Sequence, residues 1–184
     1  MPDRKPRPLD SQQLWEYALR VLGGRAYSIS ALREKLRRRA EKKEYADEVL
    51  SRLKEYGYLD DRKFAGHFAA VRLENQGFGK SRVLRELRQQ RVAPAVAEKA
   101  VKDAYSDTDE TVLIDNFLRR KYRKIALGEY LADPRHLAAT YRKLRLAGFS
   151  SSGSVRALKR YAHEPELLDS LDSPGDVEEE QPHP

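Results

Sequence analysis

An all-α fold, an elongated array of three tandem three-helix repeats, is predicted for this 184-residue chain by three observations. Apolar residues recur at helical spacing along most of the sequence, as in Ala46, Val49, Leu50 and Leu53. No segment alternates β-branched residues, and isoleucine is scarce. The pairs Leu36-Arg37, Leu87-Arg88 and Leu144-Arg145 each fall late in an amphipathic stretch. After each comes a helix break (Ala40 to Lys43, Arg91 to Pro94, Gly148-Phe149), then a short helix ending near Tyr58, Tyr105 or Tyr161. That spacing is long for a two-helix repeat and suits three helices.

Nine helices follow from periodicity and end signals: 11–23, 29–40 and 45–56; 61–75, 80–90 and 94–105; 108–123, 134–147 and 152–162. Ser28 can cap its helix, with Tyr27 and Leu32 at staple positions. Gly57 is a natural stop, and Asp60 or Asp61 can cap the helix carrying Phe64 and Ala65. Pro94 and Asp133-Pro134 place proline at the first helical position, and Asp107 with Glu110 has capping-box spacing. The expected division is a disordered head (1–10), repeats at 11–59, 60–106 and 107–163, and a disordered acidic tail (164–184). Each repeat has few large apolar side chains, so units stacked in series support one another. The result is a long surface rather than a pocket.

The net charge is +7. Glu164, Glu166, Asp169, Asp172, Asp176, Glu178, Glu179 and Glu180 concentrate negative charge in the tail, so the preceding body is strongly basic. A basic body suits nucleic acid or a nucleoprotein surface. The candidate contacts cluster on the helices: Arg33, Arg37 and Arg38; Lys80, Arg82, Arg85 and Arg88; Arg119, Arg120, Lys121 and Arg123; Arg142 and Arg145. A charge run is more often a solvated face, but recurrence on the second helix of each repeat favours a common basic strip. The tail either solubilises the chain or competes for that strip.

Other classes lose support. No cysteine is present, which removes disulfides, cysteine-ligated zinc and thiol catalysis. No signal peptide or membrane-spanning run is visible, and a cytoplasmic location is expected. His67, His136, His163 and His183 lack metal-ligand spacing. Gly77-Phe78-Gly79-Lys80-Ser81 matches the end of a phosphate loop, but Glu74 stands where its first glycine belongs, so the two glycines read as a helix-to-helix turn. No catalytic constellation, metal or cofactor site is expected.

The residues also resemble the RecX family of bacterial regulatory proteins. Arg25-Ala26-Tyr27-Ser28 with Leu32 and Leu36 looks like the first-repeat signature. Gly57-Tyr58-Leu59-Asp60-Asp61 with Phe64-Ala65 looks like the family's most recognisable motif. Arg72, Gly77, Gly79, Arg82 and Glu86-Leu87 are similar to the second repeat, and Lys121-Tyr122, Leu144 and Gly148-Phe149 to the third. Ala40 and Arg91 fall where glycine is common, so those turns are expected to form without positive φ or with a different geometry; Ala147 replaces a usual basic residue. The resemblance implies binding along the groove of the RecA–single-stranded DNA filament, with lower filament growth, ATP hydrolysis, strand exchange and repressor cleavage. The implied partners are RecA and single-stranded DNA, extending to double-stranded DNA, met through phosphates; a serial array with capped ends is expected to be a monomer. Within that reading Asp60 and Asp61 are helix caps and Tyr58 packs the junction. The alternatives are a helix-turn-helix DNA-binding protein and a protein–protein scaffold.

Overall fold

A computed structural model describes residues 7–161 and Leu168. Among them are ten α-helices: α1 (Ser11–Gly24), α2 (Ile29–Arg37), α3 (Lys43–Glu55), α4 (Asp61–Val71), α5 (Lys80–Gln89), α6 (Pro94–Ala104), α7 (Glu110–Lys121), α8 (Leu127–Leu131), α9 (Pro134–Leu146) and α10 (Ser151–Lys159). No strand occurs among the described residues; Leu9 and Ala40 form one isolated bridge. The all-α expectation holds, with two additions. The helix expected over 61–75 widens into a π-helical turn at Arg72–Gln76, where Arg72 donates to Glu86 at 2.6 Å and to Gln76 at 3.0 Å. Helix α8 lies in a segment read as a connection; its five residues are too few to show a period, and packing of Leu131 and Leu127 holds it.

The described chain forms two compact units. One takes the chain up to Gln76 together with Val83–Asp107; the other takes Gly77–Arg82 together with the chain from Thr108. In the first unit α1, α2 and α3 pack on one another and α4 packs on α6. Leu14, Leu32, Leu36, Val49, Leu50 and Leu53 make the core of the first three helices. In the second unit α7 and α9 both pack on α10 around Ile114, Leu118, Leu144, Phe149 and Leu158.

Helix ends follow the local chemistry closely. Gly57 has φ +73°; its N–H donates to the Lys54 carbonyl and that of Tyr58 to the Leu53 carbonyl, a Schellman close. Gly148 (φ +92°) closes α9 in the same way onto Arg145 and Leu144. Arg91 corrects the sequence expectation. It adopts φ +56° and closes α5 onto Arg88 and Leu87, although a left-handed L-residue costs about 1–2 kcal/mol. At Ala40 the chain has no positive φ; instead Leu9 N–H donates to the Arg39 carbonyl at 2.7 Å, and Glu41 N–H to that of Leu9 at 2.9 Å. Of the head expected to be disordered, residues 1–6 lie outside the described residues, while Leu9 is held by this pairing and Asp10 by capping α1. The acidic tail, Leu168 apart, also lies outside them.

Ser28, Asp133 with Pro134, and Pro94 start their helices as expected. The Asp107–Glu110 box does not form. Asp109 caps α7 by accepting from Thr111 N–H at 2.7 Å, and the Glu110 carboxylate accepts from Ser150 N–H at 2.8 Å and from the Ser150 hydroxyl, tying α7 to the start of α10.

Asp60, rather than Asp61, caps α4. Its carboxylate accepts from Arg62 N–H at 2.8 Å and Lys63 N–H at 3.2 Å. The Lys63 and then the Arg62 amide hold its pKa below the ordinary carboxylate value. A depressed folded pKa makes the cap's contribution full above the unfolded pKa and lost as pH falls through the folded one. Asp60→Ala is therefore expected to lower the melting temperature at neutral pH, with the difference from wild type shrinking in acid. A pH-independent difference between the two melting curves would remove the cap from this role.

A candidate nucleic-acid interface

The signature Gly57 to Ala65 is a joint inside the first unit. Gly57 ends α3, Leu59 is buried, Asp60 caps α4 and Ala65 is fully buried. Asp61 does something the sequence did not reveal. Its carboxylate accepts from Ile29 N–H at 2.8 Å, at the first turn of α2. Ser28 caps the same turn by accepting from Ala31 N–H at 3.1 Å, and its hydroxyl donates to the Gln90 carbonyl at the end of α5. Three helix ends thus meet at Ser28. Tyr58 departs from expectation: it is 59 % exposed and Leu59 packs in its place. Arg25 stacks over Tyr27 at 4.3 Å, and Phe64 rests against Phe68 with centroids 5.9 Å apart.

An aromatic row lies nearby on α1 and the end of α3. Trp15 meets Tyr56 edge-on with centroids 5.8 Å apart, Tyr56 meets Tyr58 at 6.4 Å, and the Arg52 guanidinium covers Trp15 at 4.2 Å. Of the tyrosines that mark the repeats, only Tyr105 is deeply buried. Burial first, and the Glu86 carboxylate second, push its pKa up to about 12.

Three of the predicted contact residues converge. Arg33 and Arg37 on α2 and Arg38 at its C-cap line a groove of about 390 Å³ with Ser30, Glu34 and Arg91. Asp47 on α3 holds two of them, Arg37 at 2.9 Å and Arg33 at 3.5 Å. Glu34 pairs with Arg38 and lies 3.4 Å from Arg91. These pairs are partly or well exposed, so each contributes roughly 0–1 kcal/mol and can be exchanged for another anion. Arg91 is not among the residues that sequence alone marks for contact; a helix break hides the fact that the fold returns its side chain to α2.

The repeated leucine–arginine pairs share a geometry. Arg37 reaches Asp47, and Arg88 reaches Glu98 at 3.9 Å, each acid ten positions on and in the following helix. The corresponding third position is Val155, and Arg145 instead donates to the Phe149 carbonyl at 2.6 Å. Lys80, Arg85 and Arg88 are exposed, and Arg82 stacks on Phe78 at 3.7 Å. In the second unit Arg119, Arg120, Lys121, Arg123 and Arg142 are exposed. Arg119 and Arg123 flank a smaller groove beside Tyr122. The Gly77–Ser81 stretch binds its own chain: Gly79 N–H donates to the Ala147 carbonyl at 2.8 Å and Ser81 N–H to that of Gly148 at 3.1 Å. Among the described residues no three metal-ligating side chains gather, and no helix is long and apolar enough to cross a membrane.

The fold and its arginine-lined groove define an all-helical basic protein. The model of the second three-helix domain of RecX matches residues 60–101, which span α4, α5 and most of α6. The regulatory protein RecX of Trichlorobacter lovleyi is 34 % identical over 141 residues, covering 76 % of this chain and 86 % of the relative. The regulatory protein RecX of Deinococcus radiodurans is 32 % identical over 163 residues, 86 % of this chain and 74 % of that one. The crystal structure of RecX from Lactobacillus salivarius superposes with a TM-score of 0.62 at 15 % identity, covering 82 % of this chain and 96 % of that one; this is a likeness of fold. The chain belongs to the RecX family of regulatory proteins.

Proposed function

We propose that the chain regulates RecA by binding the RecA–single-stranded DNA filament and restraining its growth, and with it ATP hydrolysis, strand exchange and repressor cleavage. The observation that carries this reading is the 34 % identity to a RecX regulatory protein across 86 % of that protein's length. The arginine groove on α2 and the basic faces of α5, α7 and α9 supply the chemistry: guanidinium groups suited to bidentate contact with phosphate or carboxylate. In this reading the three repeats act as a cytoplasmic monomer that occupies a surface and performs no chemistry.

The test is RecA's single-stranded-DNA-dependent ATP hydrolysis with the protein added well below one copy per RecA. Inhibition at that ratio is expected, because one molecule that caps or occupies a filament affects many subunits. No effect up to equimolar amounts would sink the reading.

A direct DNA-binding role is the second reading, favoured by three-helix domains, from which helix-turn-helix proteins are also built. Its basic residues would be expected at the start of one recognition helix, whereas here they are spread over α2, α5, α7 and α9. Strong discrimination of one DNA sequence over random DNA would favour it. Phosphate-driven binding instead falls steeply with salt and shows little sequence preference.

A further inference from the structure

Arg91 is the one non-glycine residue with positive φ among those described. The turn it makes is the turn Gly57 and Gly148 make, with the same two hydrogen bonds to the preceding helix. Backbone geometry therefore favours glycine at position 91 and gives no reason for arginine. A strained residue persists where its side chain has a use, and here the side chain has a definite destination. It returns to α2 and stands with Arg33, Arg37 and Arg38 around one groove, its guanidinium 3.4 Å from Glu34.

The charge balance of that groove is positive. Glu34 is shared by Arg38 and Arg91, and Asp47 by Arg33 and Arg37, so two carboxylates face four guanidinium groups. The acids orient the cations without neutralising them. Arg33 Nε is buried and makes no hydrogen bond, its Asp47 ion-pair partner standing 3.5 Å away. Arg37, Arg38 and Arg91 keep 46 %, 75 % and 66 % of their side-chain surface exposed, which leaves donors for an incoming anion.

We propose that this groove binds the backbone phosphates of single-stranded nucleic acid, and that Arg91 is retained in a left-handed backbone because its guanidinium completes the phosphate cradle. The proposal rests on the reading that this chain meets single-stranded DNA. It adds the place, and a residue whose removal separates binding from stability.

The experiment uses the full chain, a labelled oligo-dT followed by anisotropy over a salt series, and thermal melting of the same samples. Arg91→Gly is compared with wild type and with Lys99→Ala, which removes one exposed charge from α6, away from the groove. Arg91→Gly is expected to melt at or above the wild-type temperature yet bind more weakly. Its plot of log K against log salt should be shallower by about 0.7 for each phosphate that the variant no longer neutralises. Lys99→Ala is expected to keep the wild-type slope. Wild-type affinity and slope in Arg91→Gly, or an equal weakening in Lys99→Ala, overturns the cradle while leaving DNA binding intact. Absence of oligo-dT binding by wild type at low salt removes the DNA reading itself, and the groove with it.

Discussion

Gly79→Ala is expected to destabilise the second unit by about 3 kcal/mol, near the top of the usual overpacking range. A Cβ at this position would lie 2.2 Å from the Gly148 carbonyl carbon and oxygen and 2.5 Å from Phe149 N. Those are backbone atoms, fixed by the Schellman close of α9, so they cannot rotate away. The close approach is what lets the Gly79 and Ser81 amides, at the start of α5, reach the Ala147 and Gly148 carbonyls at the end of α9. Free N–H groups of one helix terminus satisfy free carbonyls of another. Gly57→Ala makes a useful contrast. Nothing lies within 4 Å of a Cβ there, so only the φ of +73° resists the change, at about 1–2 kcal/mol. The chain's single tryptophan, Trp15, stands in α1 and reports the first unit. In urea, Gly79→Ala should move the circular-dichroism transition below that of Trp15 fluorescence, and Gly57→Ala should move the fluorescence transition. Coincident, unshifted transitions in Gly79→Ala would show that the α9 turn yields.

Ser28→Ala should cost the first unit about 2 kcal/mol, combining a missing cap with a carbonyl left short of a donor. Ser28 is fully buried, accepts from Ala31 N–H and donates to the Gln90 carbonyl. Alanine leaves both groups behind in a place water reaches poorly. The midpoint of urea denaturation by Trp15 fluorescence measures the effect; a change below about 0.5 kcal/mol, the size of an ordinary surface substitution, would mean the joint contributes little.

What can be read from the sequence is local chemistry. Gly57, Asp133, Pro94 and, as a cap, Ser28 each act within a few residues of themselves, so spacing and residue type suffice. Partners far along the chain are out of reach. Asp61 looks like a cap for its own helix and serves α2; Glu110 looks like half of a capping box and binds Ser150. Tyr58 and Leu59 are adjacent apolar residues in the link between α3 and α4, and which of them turns inward depends on the direction in which Gly57 releases the chain. The candidate site is legible as charge on helices. The convergence of α2 with Arg91 is not, because it requires both the return of α5 toward Ser28 and a backbone conformation unusual for arginine.

The docking of Gly79 and Ser81 on the last turn of α9 also sets an order of events during synthesis. The segment Gly77–Arg82 leaves the ribosome long before Ala147 and Gly148 exist, so the Gly79 and Ser81 amides cannot meet the α9 carbonyls until those residues emerge. The second unit closes late, around a piece made early. A fragment starting at Thr108 would therefore lack an inserted part of its own unit, and a recombinant version of that unit has to carry residues 77–82 along with it.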